Sequence, residues 1–172
     1  MSAESLLTKA LNASGTDQEF NTEYLLCPEV DSAFGTITDW TFSSGTWTDE
    51  QQKERIWANL QLRWEIDSQE AREAIKRDKV IVSQPIMLSI TDDGELDKDN
   101  NQQLARLMKM FSIKASDHRQ LKDLFDAFRH QTGYVKVKQR GLTNKAKEPL
   151  LDSEGNQKIV AEVVAVSLEA SV

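Results

Sequence analysis

Cysteine, histidine, glycine and proline are all scarce: one cysteine (Cys27), two histidines (His118 and His130), seven glycines and three prolines in 172 residues. A single Cys27 can close no internal disulfide, which suits a reducing compartment. One cysteine and two histidines fall short of a zinc-finger ligand set. So little glycine and proline excludes collagen-like and low-complexity classes. Long apolar runs are missing too, with none near the ~18 residues of a membrane span. The start, Met1-Ser2-Ala3-Glu4-Ser5, lacks the basic residues and apolar run of a secretory leader. These absences predict a cytoplasmic protein with no metal, no cofactor and no membrane contact.

Catalytic signatures are lacking as well. No Walker-type or dinucleotide glycine motif is present. Ser116-Asp117-His118 reads as a helix start, with Ser116 or Asp117 as N-cap, rather than as part of a nucleophilic triad. Asp92, Asp93, Glu95, Asp97 and Asp99 cluster in one loop. Gly94 directly after Asp93, and no glutamate twelve positions after Asp92, depart from a calcium loop, so a solvated turn is the simpler reading. No enzymatic activity is expected.

What is present is one domain's worth of chain, 39% hydrophobic and 28% charged, with a net charge of −7. That suffices for one sizeable core. The charge is uneven. Residues 1–50 hold Lys9 against nine acids, a net −8, so the rest of the chain carries +1. An acidic total argues against coating duplex DNA by charge alone, but still allows a basic groove on an acidic body. The most basic stretch is Lys136, Lys138, Arg140, Lys145 and Lys147.

Residues 1–32 read as an acidic N-terminal extension. Ala3–Leu11 could make two helical turns, Asn12–Asp17 is loop-like, and Tyr24–Pro28 is an apolar anchor onto the domain. The domain itself spans 33–172. Thr36–Phe42 is β-rich and precedes a turn signal at Ser43-Ser44-Gly45. Arg55–Ile66 alternates strictly, with Ile56, Ala58, Leu60, Leu62, Trp64 and Ile66 on one face. Asp67–Lys79 is a charged loop with a short helix. Val80–Ile90 is a third strand in which Pro85 suggests an edge or bulge. Leu104, Leu107, Met108 and Phe111, then Leu121, Leu124, Phe125 and Phe128, have helical spacing. Tyr134–Arg140 and Ile159–Leu168 complete the strands, separated by a polar loop over 141–158. The glycines all fall at turn-like places.

Three strands, a helical insertion and two strands predict an all-β core with helices between strands three and four: a five-stranded, OB-fold-like Greek-key barrel. On the faces away from its core, strand two shows Trp57, Asn59, Gln61 and Arg63, with Arg55 at its start. Strand four shows Tyr134, Lys136, Lys138 and Arg140. With Ile37 inward, strand one adds Thr36, Thr38, Trp40 and Phe42, although a one-residue slip would bury Trp40 and Phe42. Trp64 belongs to the core, and Trp47 lies in a turn-like stretch. Rings beside cations and amides are what sequence-independent single-strand binding needs, since phosphates take Lys and Arg while flat rings accept any base. The predicted nucleic-acid-binding set is therefore Trp40, Phe42, Arg55, Trp57, Asn59, Arg63, Tyr134, Lys136, Lys138, Arg140, Lys145 and Lys147.

Over about residues 33–168 the chain resembles a family of bacteriophage-encoded single-stranded-DNA-binding-like proteins. The resemblance rests on Phe34-Gly35-Thr36-Ile37, the long second strand, Asp93-Gly94 before paired helices, and Leu124-Phe125-Asp126-Ala127-Phe128 running into Gly133-Tyr134-Val135-Lys136-Val137. It implies an OB-fold that protects single strands in replication or recombination, in the host cytoplasm, with enzymes of those processes as partners. The family's acidic C-terminal tail has no counterpart, because only Glu169 is acidic near the end. Either the acidic N-terminal segment is expected to take its place, or recruitment through such a tail is expected to be absent. A different reading fits the same residues: a protein-interaction module, homodimeric or not, anchored by exposed tryptophans.

Overall fold

The structure, a computed structural model, describes residues 25–144 and 146–170. The expected helix at Ala3–Leu11 and most of the acidic extension lie outside these residues, as does Lys145. The described chain forms β1 (Val30–Thr48), β2 (Glu54–Asp67), α1 (Gln69–Ile75), β3 (Val80–Leu88), α2 (Gln102–Met110), a 3-10 turn (Ala115–Asp117), α3 (Leu121–Asp126), β4 (Thr132–Gly141) and β5 (Ile159–Ser167). The all-β core with helices between β3 and β4 is as expected. Among the described residues no helix is long and apolar enough to cross a membrane.

The five strands make one mixed sheet in the order β1-β2-β3-β5-β4, and β1 also pairs with β4, so the sheet closes on itself. All pairings are antiparallel except β3 with β5, which meet in parallel at Ser83 and Glu162. The strict alternation of β2 gives the sheet its buried inner face. Ala58, Leu60, Leu62, Trp64 and Ile66 are buried, and apolar residues of β1, β3 and β4 meet them: Ile37, Val82, Ile86, Val135 and Val137. Burying these side chains supplies most of the driving force for folding, at about 1.5–3 kcal/mol for each large one. At the centre, fully buried Trp64 donates from Nε1 to Oε1 of Gln84 at 2.9 Å, so the core's largest residue leaves no polar atom stranded.

Several elements differ from expectation, each for a local reason. β1 runs through Ser43-Ser44-Gly45 without turning, and the turn comes at Asp49–Lys53 instead. Gly35, Gly133 and Gly141 likewise sit inside strands. At Gly133 a Cβ would stand 2.9 Å from the Ser167 carbonyl oxygen, so the residue is small because two strands approach closely. Pro85 causes no bulge. It stands opposite Gln61 in an unbroken register, and its missing N–H falls on the strand whose other side meets β5 at Ser83.

The helical insertion packs under one end of the sheet. Leu104, Leu107, Leu124, Phe125 and Phe128 are buried, and Phe111 lies against both Trp64 and Phe128. α1 is capped by Ser68, whose hydroxyl accepts from the Ala71 amide at 3.2 Å. Neither Ser116 nor Asp117 caps α3. Both lie in the 3-10 turn, and α3 starts after Gln120 with no side-chain cap. Asn101 ties the insertion to β3's exit, accepting from the Ser89 amide at 2.8 Å and donating to the Ser89 carbonyl at 2.9 Å.

Candidate nucleic-acid interface

The β1–β2 hairpin extends past the last β3 partner, Leu88 opposite Ala58, as a two-stranded ribbon. Strand alternation gives the ribbon two faces. On the outer face stand Trp47, opposite Arg55, and Trp57, opposite Gly45. Continuing along that face come Asn59, Gln61 and Arg63 of β2, with Met87 of β3 opposite Asn59. Trp47 is 46% exposed, Trp57 37% and Met87 64%, large apolar side chains that the core does not use. With Arg55, Ile56, Ser89 and Asn100 they line an open cleft. The outward placement of Trp57, Asn59 and Arg63 is as the alternation of β2 predicts. Within this surface the Oδ1 of Asn59 is buried and has no hydrogen-bond partner among the described residues.

Charges at the ribbon tip are ordered by carboxylates. Arg55 Nε donates to Asp49 at 2.8 Å and Lys53 Nζ to Asp92 at 2.7 Å. Asp49 also accepts from the Gln51 and Lys53 amides, and Asp49 and Asp92 are both held below the usual carboxylate range. For Asp49 the Lys53 amide is the main cause, for Asp92 the Lys53 ammonium. Asp97 is held down mainly by the Asn100 side chain. The acidic loop is thus a set of hydrogen-bonded turns.

Trp40 and Phe42 do not lie on the outer surface. The β1 register shifts between Ile37 and Asp39, a bulge at Thr38, so Ile37 faces Trp64 and Trp40 then faces Leu62. An extra residue in one strand inverts everything after it. Trp40 packs edge-on to Phe125 at 5.4 Å and donates from Nε1 to Asp126 at 2.9 Å. Phe42 stacks on Phe125 at 6.0 Å and keeps 42% exposure on the ribbon's inner face.

Tyr134, Lys136, Lys138 and Arg140 face outward from β4, as predicted, with Val135 and Val137 buried between them. They do not join Trp57 in one strip. Tyr134 is opposite Phe34 and Trp57 opposite Gly45, eleven residues apart on β1, or roughly 35 Å along an extended strand. Nor are these cations free. Lys136 pairs with Asp31 at 3.0 Å, Lys138 with Glu29 at 2.8 Å and Arg140 with Glu162 at 2.8 Å. The partner lysines hold Glu29 and Asp31 below the usual carboxylate range, while Glu29 raises Lys138 and Glu162 raises Arg140. Lys147 is exposed on the 141–158 loop.

Sequence reasoning missed Trp47 and Met87. Trp47 was masked by the apparent turn at Gly45, and Met87 by being a single apolar residue on a polar face. The strand pairing reveals both: Trp47 comes opposite Arg55 and Met87 opposite Asn59, on the same face as Trp57. No protein-family model, no curated protein and no solved structure matches the chain.

Proposed function

We propose that this is an OB-fold protein that binds single-stranded DNA irrespective of sequence and protects or presents the strand in replication or recombination. The strand order β1-β2-β3-β5-β4, closed on β1 and with helices between β3 and β4, fits a five-stranded Greek-key barrel of that type. In such barrels the β2–β3 face and the β1–β2 loop are where oligonucleotides rest. The observation that carries the reading is the exposed pair Trp47 and Trp57 on one face of the β1–β2 ribbon, beside Met87 and Arg63. Each ring can stack one base for about 1–3 kcal/mol, whatever the base.

Tryptophan fluorescence titrated with oligo-dT tests this. Binding should quench emission, and Trp57→Ala or Trp47→Ala should weaken affinity about tenfold for a contribution near 1.4 kcal/mol. Oligo-rU as competitor reports the preference between DNA and RNA. No quenching and no retention of oligo-dT at low salt would remove the proposal.

A protein-interaction module is the second reading, favoured by the ribbon's apolar side chains on both faces: Trp47 and Trp57 on one, Phe42 and Ile56 on the other. Salt separates the two. Single-strand affinity falls with a slope of about −0.7 per phosphate contact, whereas an aromatic protein interface responds weakly.

A further inference from the structure

Among the described residues, a dense group of cations without carboxylate partners lies on the helical insertion. From Asn100 to Lys122 the chain carries Arg106, Lys109, Lys114, Arg119 and Lys122 against one acid, Asp117. All five cations are exposed, and among the described residues none enters an ion pair or a side-chain hydrogen bond. Most cations of the sheet differ, although Arg63 of β2 is exposed and enters no ion pair among the described residues. Lys53, Arg55, Lys79, Lys136, Lys138 and Arg140 each sit against a carboxylate. A phosphate reaching those must first displace an internal partner, whereas a free cation exchanges only its counterions.

The insertion is also held rigidly beside the ribbon. Trp40 bonds to Asp126, Phe42 stacks on Phe125, and Asn101 is stapled to Ser89. Lys122 stands exposed on α3, three residues before Phe125. Asn100, one residue before the Asn101 staple, lines the cleft that holds Trp47 and Trp57. The acids of the intervening loop are partly engaged, Asp92 by Lys53 and Asp97 by Asn100.

We infer that the helical insertion is the phosphate-contacting surface: Arg106, Lys109, Lys114, Arg119 and Lys122 neutralise the backbone of the strand whose bases stack on the ribbon. The β4 cations stay engaged with Glu29, Asp31 and Glu162. This rests on the single-strand reading above and names the contacts that give it affinity.

The test is the salt dependence of oligo-dT binding by the full chain, read by tryptophan fluorescence. Three sets of substitutions are compared: Arg106→Gln with Lys109→Gln and Lys114→Gln; Arg119→Gln with Lys122→Gln; and Lys136→Gln with Lys138→Gln and Arg140→Gln. The first two sets should each flatten the slope of log affinity against log salt by about 0.7 per residue changed, and the third should leave it as it is. All five insertion cations are exposed, so thermal melts should match wild type, and dividing them into two sets protects the test against one misfolded variant. Wild-type slopes in both insertion sets, with Trp57→Ala still weakening binding, overturn the inference and leave the single-strand reading standing. A flatter slope in the β4 set alone overturns it as well. Absence of salt-dependent oligo-dT binding by the wild type overturns both.

Discussion

The indole of Trp57 lies over Gly45, its cross-strand partner: a Cβ added at Gly45 would stand 2.7 Å from the indole nitrogen. The glycine is a seat for the ring. It fixes how Trp57 presents its face on the ribbon while leaving it exposed. Gly45→Ala is expected to push the indole off this seat, with a changed Trp57 emission maximum and weaker quenching by oligo-dT. The ribbon end is exposed, so the melting temperature should move little. An unchanged titration would mean that the seat has no part in presenting the ring.

Trp64 and Gln84 form a polar contact at the centre of the core, with Gln84 only 2% exposed. Gln84→Ala leaves the indole N–H buried and unpaired and opens a cavity. A loss of about 2–4 kcal/mol in urea unfolding is expected from the two effects together. Trp64→Phe removes the donor instead and strands the glutamine. The double variant should lose less than the sum, which a double-mutant cycle measures.

Acid should destabilise the fold through a defined group of carboxylates. Glu29, Asp31, Asp49, Asp92 and Asp97 all lie below their ordinary values when folded, so each contributes stability that is complete above its unfolded value. That contribution disappears as pH falls through the folded values, so the urea midpoint should drop below about pH 4. Glu29, Asp31 and Asp92 are exposed while Asp49 and Asp97 are half-buried, and the contributions of the exposed groups are small. Glu29→Gln should lower the midpoint slightly at neutral pH and blunt its fall in acid. An equally steep fall in this variant would show that the Lys138 pair is not coupled to folding.

Of five non-glycine residues with left-handed backbone among those described, Gln52 and Lys147, both at φ 63°, close tight turns. Two related turns use Gly94 and Gly155 at the matching position. In all four the residue three before it, Asp49, Thr91, Asn144 or Asp152, accepts the amide of the left-handed residue. Left-handed backbone costs a side-chain residue about 1 kcal/mol. Gln52→Gly should therefore stabilise by up to about that amount, and Gly155→Ala should destabilise by a similar amount, as read by thermal melts.

The strands were legible wherever one face is buried and the register is unbroken. Ile56 to Ile66 declares its own period, and Val135 and Val137 separate the β4 side chains in the same way. What the sequence hides is any feature that depends on a residue's partner. The bulge at Thr38 leaves no compositional mark, yet it turns Trp40 and Phe42 toward Phe125. Gly45 looks like a turn because glycine commonly makes turns, and only the strand opposite shows that it seats Trp57. The β4 lysines read as a free cationic stripe because Glu29 and Asp31, about a hundred residues earlier, pair with them only once β1 lies alongside. Conversely, the cations from Arg106 to Lys122 are spread too thinly to read as a run.

The meeting of β3 and β5 at Ser83 and Glu162 leaves the cylinder with a seam. Every other junction is a ladder of several rungs, so thermal opening should start here, with the β4–β5 arm swinging away as a unit while β1, β2 and β3 hold together. Arg140, clasped to Glu162 within that arm, ties β4 to β5 so that the two strands move together.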